Sequence, residues 1–273
     1  MLWRSARRAR PSPNLRTVDT SHLLAALVCG VLCAALGWFV PTVIARIPEP
    51  VPEPDELVEQ PTSDDDRRLF SSELPAAPPK ELYTDIAARP GLGLWCVLAG
   101  AVAGVGVGAA VGWAGALLYL VPFVPFGTAL FVIDWRTTLL PSWLVKPAYP
   151  VLLVLLLIAW AVDRDLSDLE RAGWGWVVVG GWFLVLWLIT GGGGFGYGDI
   201  RLAGLLGPAL GYLGWAEMLV GLMLIFLCGV VGALAVALSR GSMKVRVPYG
   251  PFMLLGAWLG VLVGPWLAAA AGY

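Results

Sequence analysis

The sequence predicts an all-α, polytopic membrane protein: a helix bundle with about eight transmembrane helices. Three observations predict it. Of 273 residues, 58% are hydrophobic and only 14% charged, and the mean hydropathy is +0.78; an average soluble domain carries roughly a quarter of its residues as charges. So few charges cannot solvate a globular body of this size, and a net charge of -1 offers no basic patch for nucleic acid. Soluble enzymes, secreted disulfide scaffolds and nucleic-acid binders are excluded, and the lipid bilayer is the expected surrounding.

A spanning helix needs about 20 apolar residues to cross roughly 30 Å of hydrocarbon. On that rule the chain divides into spans near 23–45, 91–113, 115–133, 147–162, 174–190, 201–214, 217–238 and 248–270. Residues 1–22 form a basic tail with Arg4, Arg7, Arg8, Arg10 and Arg16. The apolar stretch behind it is too long for a signal-peptide core and ends in no A-x-A site, so 23–46 reads as a retained first span. Residues 47–90 hold nine of the 21 prolines and 11 of the 19 acidic residues, which reads as a loosely structured, solvated loop. From 91 to 273 the apolar runs are closely spaced and form the membrane-embedded core. Its polar patch at 161–173, AVDRDLSDLERAG, reads as a surface loop. Cys29, Cys33, Cys96 and Cys228 lie inside apolar runs without a C-x-x-C pair, the pattern of small buried residues rather than of a zinc site. Trp113, Trp143, Trp174, Trp176 and Trp215 fall near span ends, where an interfacial belt is expected.

Orientation follows from Lys and Arg in the connections. One set of connections holds eleven of them and the other only Arg164 and Arg171, which sets the first group in the cytoplasm. The basic N-terminal tail then falls on the outer side, against the rule.

Outside the tail and the two polar segments only three acidic residues remain: Asp134, Asp199 and Glu217. A carboxylate at membrane depth costs at least about 2.5 to 3.5 kcal/mol, so each is a candidate site residue. Glu217 follows a Gly-Tyr-Leu-Gly-Trp turn and reads as an outer headgroup residue. Asp134 and Asp199 both end their spans on the cytoplasmic side. Two carboxylates meeting there cannot both ionise cheaply and would share a proton. That is the arrangement of an aspartyl protease, in which one carboxylate deprotonates the attacking water and the other protonates the scissile carbonyl. The glycines 191–194, Gly196 and Gly198 are unsuited to a lipid-facing helix; they predict a flexible, hydrated approach to Asp199, or else a simple interhelical turn.

The segments GYGDIRLAGLLG (196–207), IDWRTTLLPSWL (133–144), VPYGPFMLLGA (247–257) and GWFVPTVIARIP (37–48) resemble, in order, four motifs of the prepilin peptidases, membrane aspartyl proteases of the GxGD type that process type IV pilin-like precursors. Arg201 stands where that family usually has lysine, and Ser142 where an acidic residue or asparagine is common. The resemblance implies Asp134 and Asp199 as the catalytic pair, facing the cytoplasm of the plasma membrane. Gly196, Gly198 and Arg201 would then serve loop flexibility or substrate binding, and the partner would be a type IV prepilin or pseudopilin with a basic leader. It makes 47–90 the counterpart of a cytoplasmic domain in which many members carry two C-x-x-C pairs and an N-methyltransferase activity using S-adenosylmethionine. The absence of cysteine from 47–90 speaks against a metal, a cofactor and that second activity. From a different class, the two aspartates also suit a transporter or ion-coupled permease, although the spans show no internal repeat. An inactive scaffold of the secretion machinery is a third reading, against which the intact pair argues.

Overall fold

The structure, a computed structural model, describes residues 20–49, 81–190, 196–239 and 247–270. Among them every regular element is helical: α1 Thr20–Gly37, α2 Val40–Ala45, α3 Tyr83–Ala87, α4 Leu92–Val111, α5 Leu117–Thr137, α6 Ser142–Asp163, α7 Leu166–Gly175, a π-helical turn Trp176–Gly180, α8 Gly181–Ile189, α9 Tyr197–Leu213, α10 Trp215–Ser239 and α11 Gly250–Ala270. The chain is a polytopic all-α membrane protein. Seven helical segments are long and apolar enough to cross a membrane, α1 with α2 and α7 through α8 each counting as one. The eighth expected span, α9, has only 17 residues and is not among the seven. It occupies the middle of the bundle, packed by α6, α7, α8, α10 and α11, with Leu202, Ala203, Leu205 and Leu210 almost wholly buried. Protein rather than lipid surrounds it, so its length is not set by the bilayer.

The first span breaks at Trp38–Phe39 because Pro41, in the first turn of α2, has no N–H to give to Gly37 and its ring crowds that carbonyl. The seam between α1 and α4 is made of small residues. Ala25, Cys29, Cys33 and Gly37 recur every four positions and face Gly100, Gly104 and Gly108; a Cβ at Gly104 would stand 2.5 Å from the Cys29 carbonyl oxygen. Lipid supplies no hydrophobic drive between helices, so close backbone approach of this kind supplies the packing. Cys29, Cys33 and Cys96 are buried free thiols.

Two expectations are corrected. Residues 161–173 are not a loop: α6 runs through Asp163, and Asp165 caps α7 by accepting the N–H of Ser167 at 3.0 Å. Arg171 pairs with Asp168 and donates to Ser167, while Asp163, Arg164, Asp165 and Glu170 stay exposed. The helix therefore packs through Ala172 and Gly175 onto Gly211 and Gly207 of α9. Glu217, expected among the outer headgroups, is turned into the protein rather than out of it. It is 9% exposed and lies against Gly214, Gly260 and Gly264, the last two on α11, whose missing side chains make room for it.

The described ends of the 47–90 segment are joined. Glu49 accepts the backbone N–H groups of Tyr83 (2.7 Å) and Thr84 (3.4 Å) at the start of α3. Val40, Ile44 and Ile47 cluster with Tyr83 and Ile86, and the cluster rests on Ala129 and Ile133 of α5.

Candidate active site

Asp134 lies in the last turn of α5, which Thr138 closes in a left-handed conformation (φ 53°) by donating its N–H to the Asp134 carbonyl at 2.8 Å. The side chain is 3% exposed, and its Oδ2 accepts the backbone N–H of Gly250 at 2.8 Å. Gly250 is the first residue of α11, where N–H groups have no partner within the helix, so a carboxylate satisfies one of them. Only glycine fits here: a Cβ at position 250 would stand 2.7 Å from that same Oδ2.

Asp199 lies in the first turn of α9 and is 7% exposed. Its Oδ2 accepts the N–H of Gly196 at 2.9 Å, while its own N–H donates to the Gly196 carbonyl at 3.0 Å. This reciprocal closure of a helix N-terminus fixes the carboxylate and places it where the helix dipole favours negative charge.

The two carboxyl groups lie within Coulombic reach of each other. Leu140, in the link between α5 and α6, seats between the backbone segments that hold them. A Cβ at Gly198 would stand 2.9 Å from Leu140 Cβ, and one at Gly250 would stand 3.5 Å from Leu140 Cδ2. Each carboxylate thus commits one oxygen to a backbone N–H, and its other oxygen takes no protein donor among the described residues.

The other expected site residues are placed as follows. Gly196 caps α9 and bonds Asp199. Gly198 gives Leu140 its seat. Residues 191–195 of the glycine run lie outside the described residues. The Arg201 guanidinium donates to Ser142 Oγ at 2.5 Å and lies 4.4 Å from the centre of the Tyr197 ring; among the described residues it pairs with no carboxylate. That Gly250 is the partner of Asp134 is not foreseen from the sequence. The motif around it, VPYGPF, was the one available signal. Among the described residues no three His, Cys, Asp or Glu side chains gather as a metal-ligand set. Beside this site an apolar groove between α4, α5 and α11 ends at Trp135 and Arg136 and has Leu202, Leu206 and Leu210 of α9 in its lining.

The sequence profile of the type IV leader peptidase family matches residues 121–237, which span both aspartates. Three relatives are each named prepilin leader peptidase/N-methyltransferase. The one from Stutzerimonas stutzeri is 31% identical over 150 residues, 52% of this chain and 48% of the relative. That of Pseudomonas aeruginosa is 33% identical over 140 residues, 50% and 46%. That of Escherichia coli K12 is 30% identical over 168 residues, 55% of this chain and 69% of the relative. The matches to the first two cover about half the length of those relatives. No solved structure matches the chain.

Proposed function

The chain belongs to the type IV leader peptidase family, and on that premise we propose that it is a prepilin-type leader peptidase: an aspartyl endopeptidase that removes the leader of a type IV pilin-like precursor. The observation that carries the reading is the pair Asp134 and Asp199. They are two nearly buried carboxyl groups from different helices, each oriented by a backbone N–H and each with one oxygen left for chemistry. In the reaction one partner, ionised, takes a proton from a water that attacks the scissile carbonyl. The other, protonated, donates to the carbonyl oxygen as the tetrahedral intermediate forms. A proton then passes to the leaving amine as the C–N bond breaks, and the pair is restored. Fixed backbone donors hold both carboxylates before substrate arrives, which limits the reorganisation the reaction requires.

The excess of Lys and Arg in the connections on the same side as both aspartates supports cleavage at the cytoplasmic face. The apolar groove beside Asp134 offers the precursor's hydrophobic helix a surface next to the pair. The relatives' names include N-methyltransferase. This chain's 47–90 segment has no cysteine, and we assign it the peptidase step alone. The family and relatives are named for a peptidase, and nothing in them supports the transporter alternative.

The test is co-expression with a type IV prepilin of the same organism, reading the N-terminal mass of the pilin. Cleavage after a glycine, with an unmethylated new N-terminus, is the expected result. An untouched precursor beside a well-inserted protein would overturn the proposal.

A further inference from the structure

We propose that Arg201 is a positioning residue that fixes the spacing of Asp134 and Asp199 by tying Ser142, and with it the Leu140 link, to the start of α9. The inference rests on the peptidase reading above. The link between α5 and α6 is short and tightly turned. Thr138 ends α5 in a left-handed conformation, Thr137 Oγ1 donates to the Ile133 carbonyl at 2.9 Å and accepts the N–H of Leu139 at 3.3 Å, and Pro141 caps α6. Between these fixed ends Leu140 projects onto Gly198, the neighbour of Asp199, and toward Gly250, the donor to Asp134. The link is therefore the spacer between the two carboxylates.

Among the described residues two hydrogen bonds join α6 to α9, and both run through Arg201. Its guanidinium donates to Ser142 Oγ at the first residue of α6, and its backbone carbonyl accepts the Tyr149 hydroxyl at 2.8 Å about two turns further on. The Tyr197 ring, 4.4 Å from the guanidinium carbon, backs the side chain and restricts the directions in which its fork can point. The planar guanidinium reaches a hydroxyl here; a shorter lysine would need a carboxylate opposite it, so that two charges make the tie.

The experiment uses the full-length chain in lipid vesicles and measures leader release from a purified precursor, separating kcat from KM. Ser142→Ala and Arg201→Ala should each lower kcat about tenfold, the value of a hydrogen bond to a charged group, with KM unchanged. The double variant should be no slower than the slower single one, because both remove the same contact. Arg201→Lys alone should be slow, and Arg201→Lys with Ser142→Asp should restore kcat. If Arg201→Ala does not insert, Ser142→Ala, which removes one oxygen atom, carries the test. A raised KM at unchanged kcat would assign Arg201 to substrate binding and overturn the proposal, as would multiplied losses in the double variant or no loss in the single ones. A wild-type chain that releases no leader would overturn the peptidase reading itself, which the variants' behaviour leaves distinguishable.

Discussion

Asp134 and Gly250, 116 residues apart, are joined by a 2.8 Å hydrogen bond in the interior of the protein, from the backbone N–H of the last helix's first residue to the carboxylate at the end of α5. Chain ends of two helices that share no sequence neighbourhood thereby set one side chain. Asp199 is held the same way but locally, by Gly196 three residues before it. One half of the candidate pair is therefore fixed by tertiary structure and the other by a helix cap.

Gly250→Ala should impair processing without preventing insertion. The added Cβ would stand 2.7 Å from Asp134 Oδ2, forcing the carboxylate aside, and a misplacement of about 1 Å is enough to cost roughly a hundredfold in rate. Leader release by the inserted variant, compared with wild type, reads it; an unchanged rate would show that this bond does not orient the reacting group.

Gly104→Val should destabilise the α1–α4 seam, because the new atoms meet the Cys29 carbonyl at 2.5 Å and Cys33 Cβ at 2.8 Å. Overpacking of this kind costs about 1 to 3 kcal/mol, and thermal unfolding in detergent measures it. Gly93→Ala in the same helix, with nothing within 4 Å, should leave the midpoint unchanged or higher.

Glu49→Ala should loosen α3 by removing the acceptor for the N–H groups of Tyr83 and Thr84. A lost helix-start acceptor costs about 1 kcal/mol, and amide hydrogen exchange at residues 83–88 should quicken while exchange in α9 stays slow. Equal exchange at 83–88 in both proteins would show that the apolar cluster alone holds the segment.

Much of this architecture was legible because lipid imposes a length and a composition on each span. The apolar runs delimit most helices to within a few residues, although the spans expected at 147 and 174 begin at Ser142 and Leu166, and Asp134 and Asp199 stand out because carboxylates are costly there. What sequence hid were the compensations made in three dimensions. The charges of 161–173 suggested a loop, and Asp163, Arg164, Asp165 and Glu170 are indeed exposed, yet the segment is helical because Arg171 pairs with Asp168 and the glycines of α9 receive the helix. Glu217 looked like a headgroup residue because the two α11 glycines that make room for it lie more than forty positions away. Helix α9 reads as a short span, and the sequence does not show that it is the bundle's interior helix. The bond from Arg201 to Ser142 crosses 59 residues, and no local pattern announces it.

The central claim is that the two aspartates together break the peptide bond. The most direct measurement is leader release by purified, vesicle-inserted Asp134→Asn and Asp199→Asn against wild type, with insertion verified for each. The account predicts that asparagine preserves the size of each side chain and its acceptance of the Gly250 or Gly196 N–H, yet abolishes cleavage in both variants, because neither amide can exchange the proton that the pair must share. Cleavage at the wild-type rate by either variant would contradict it.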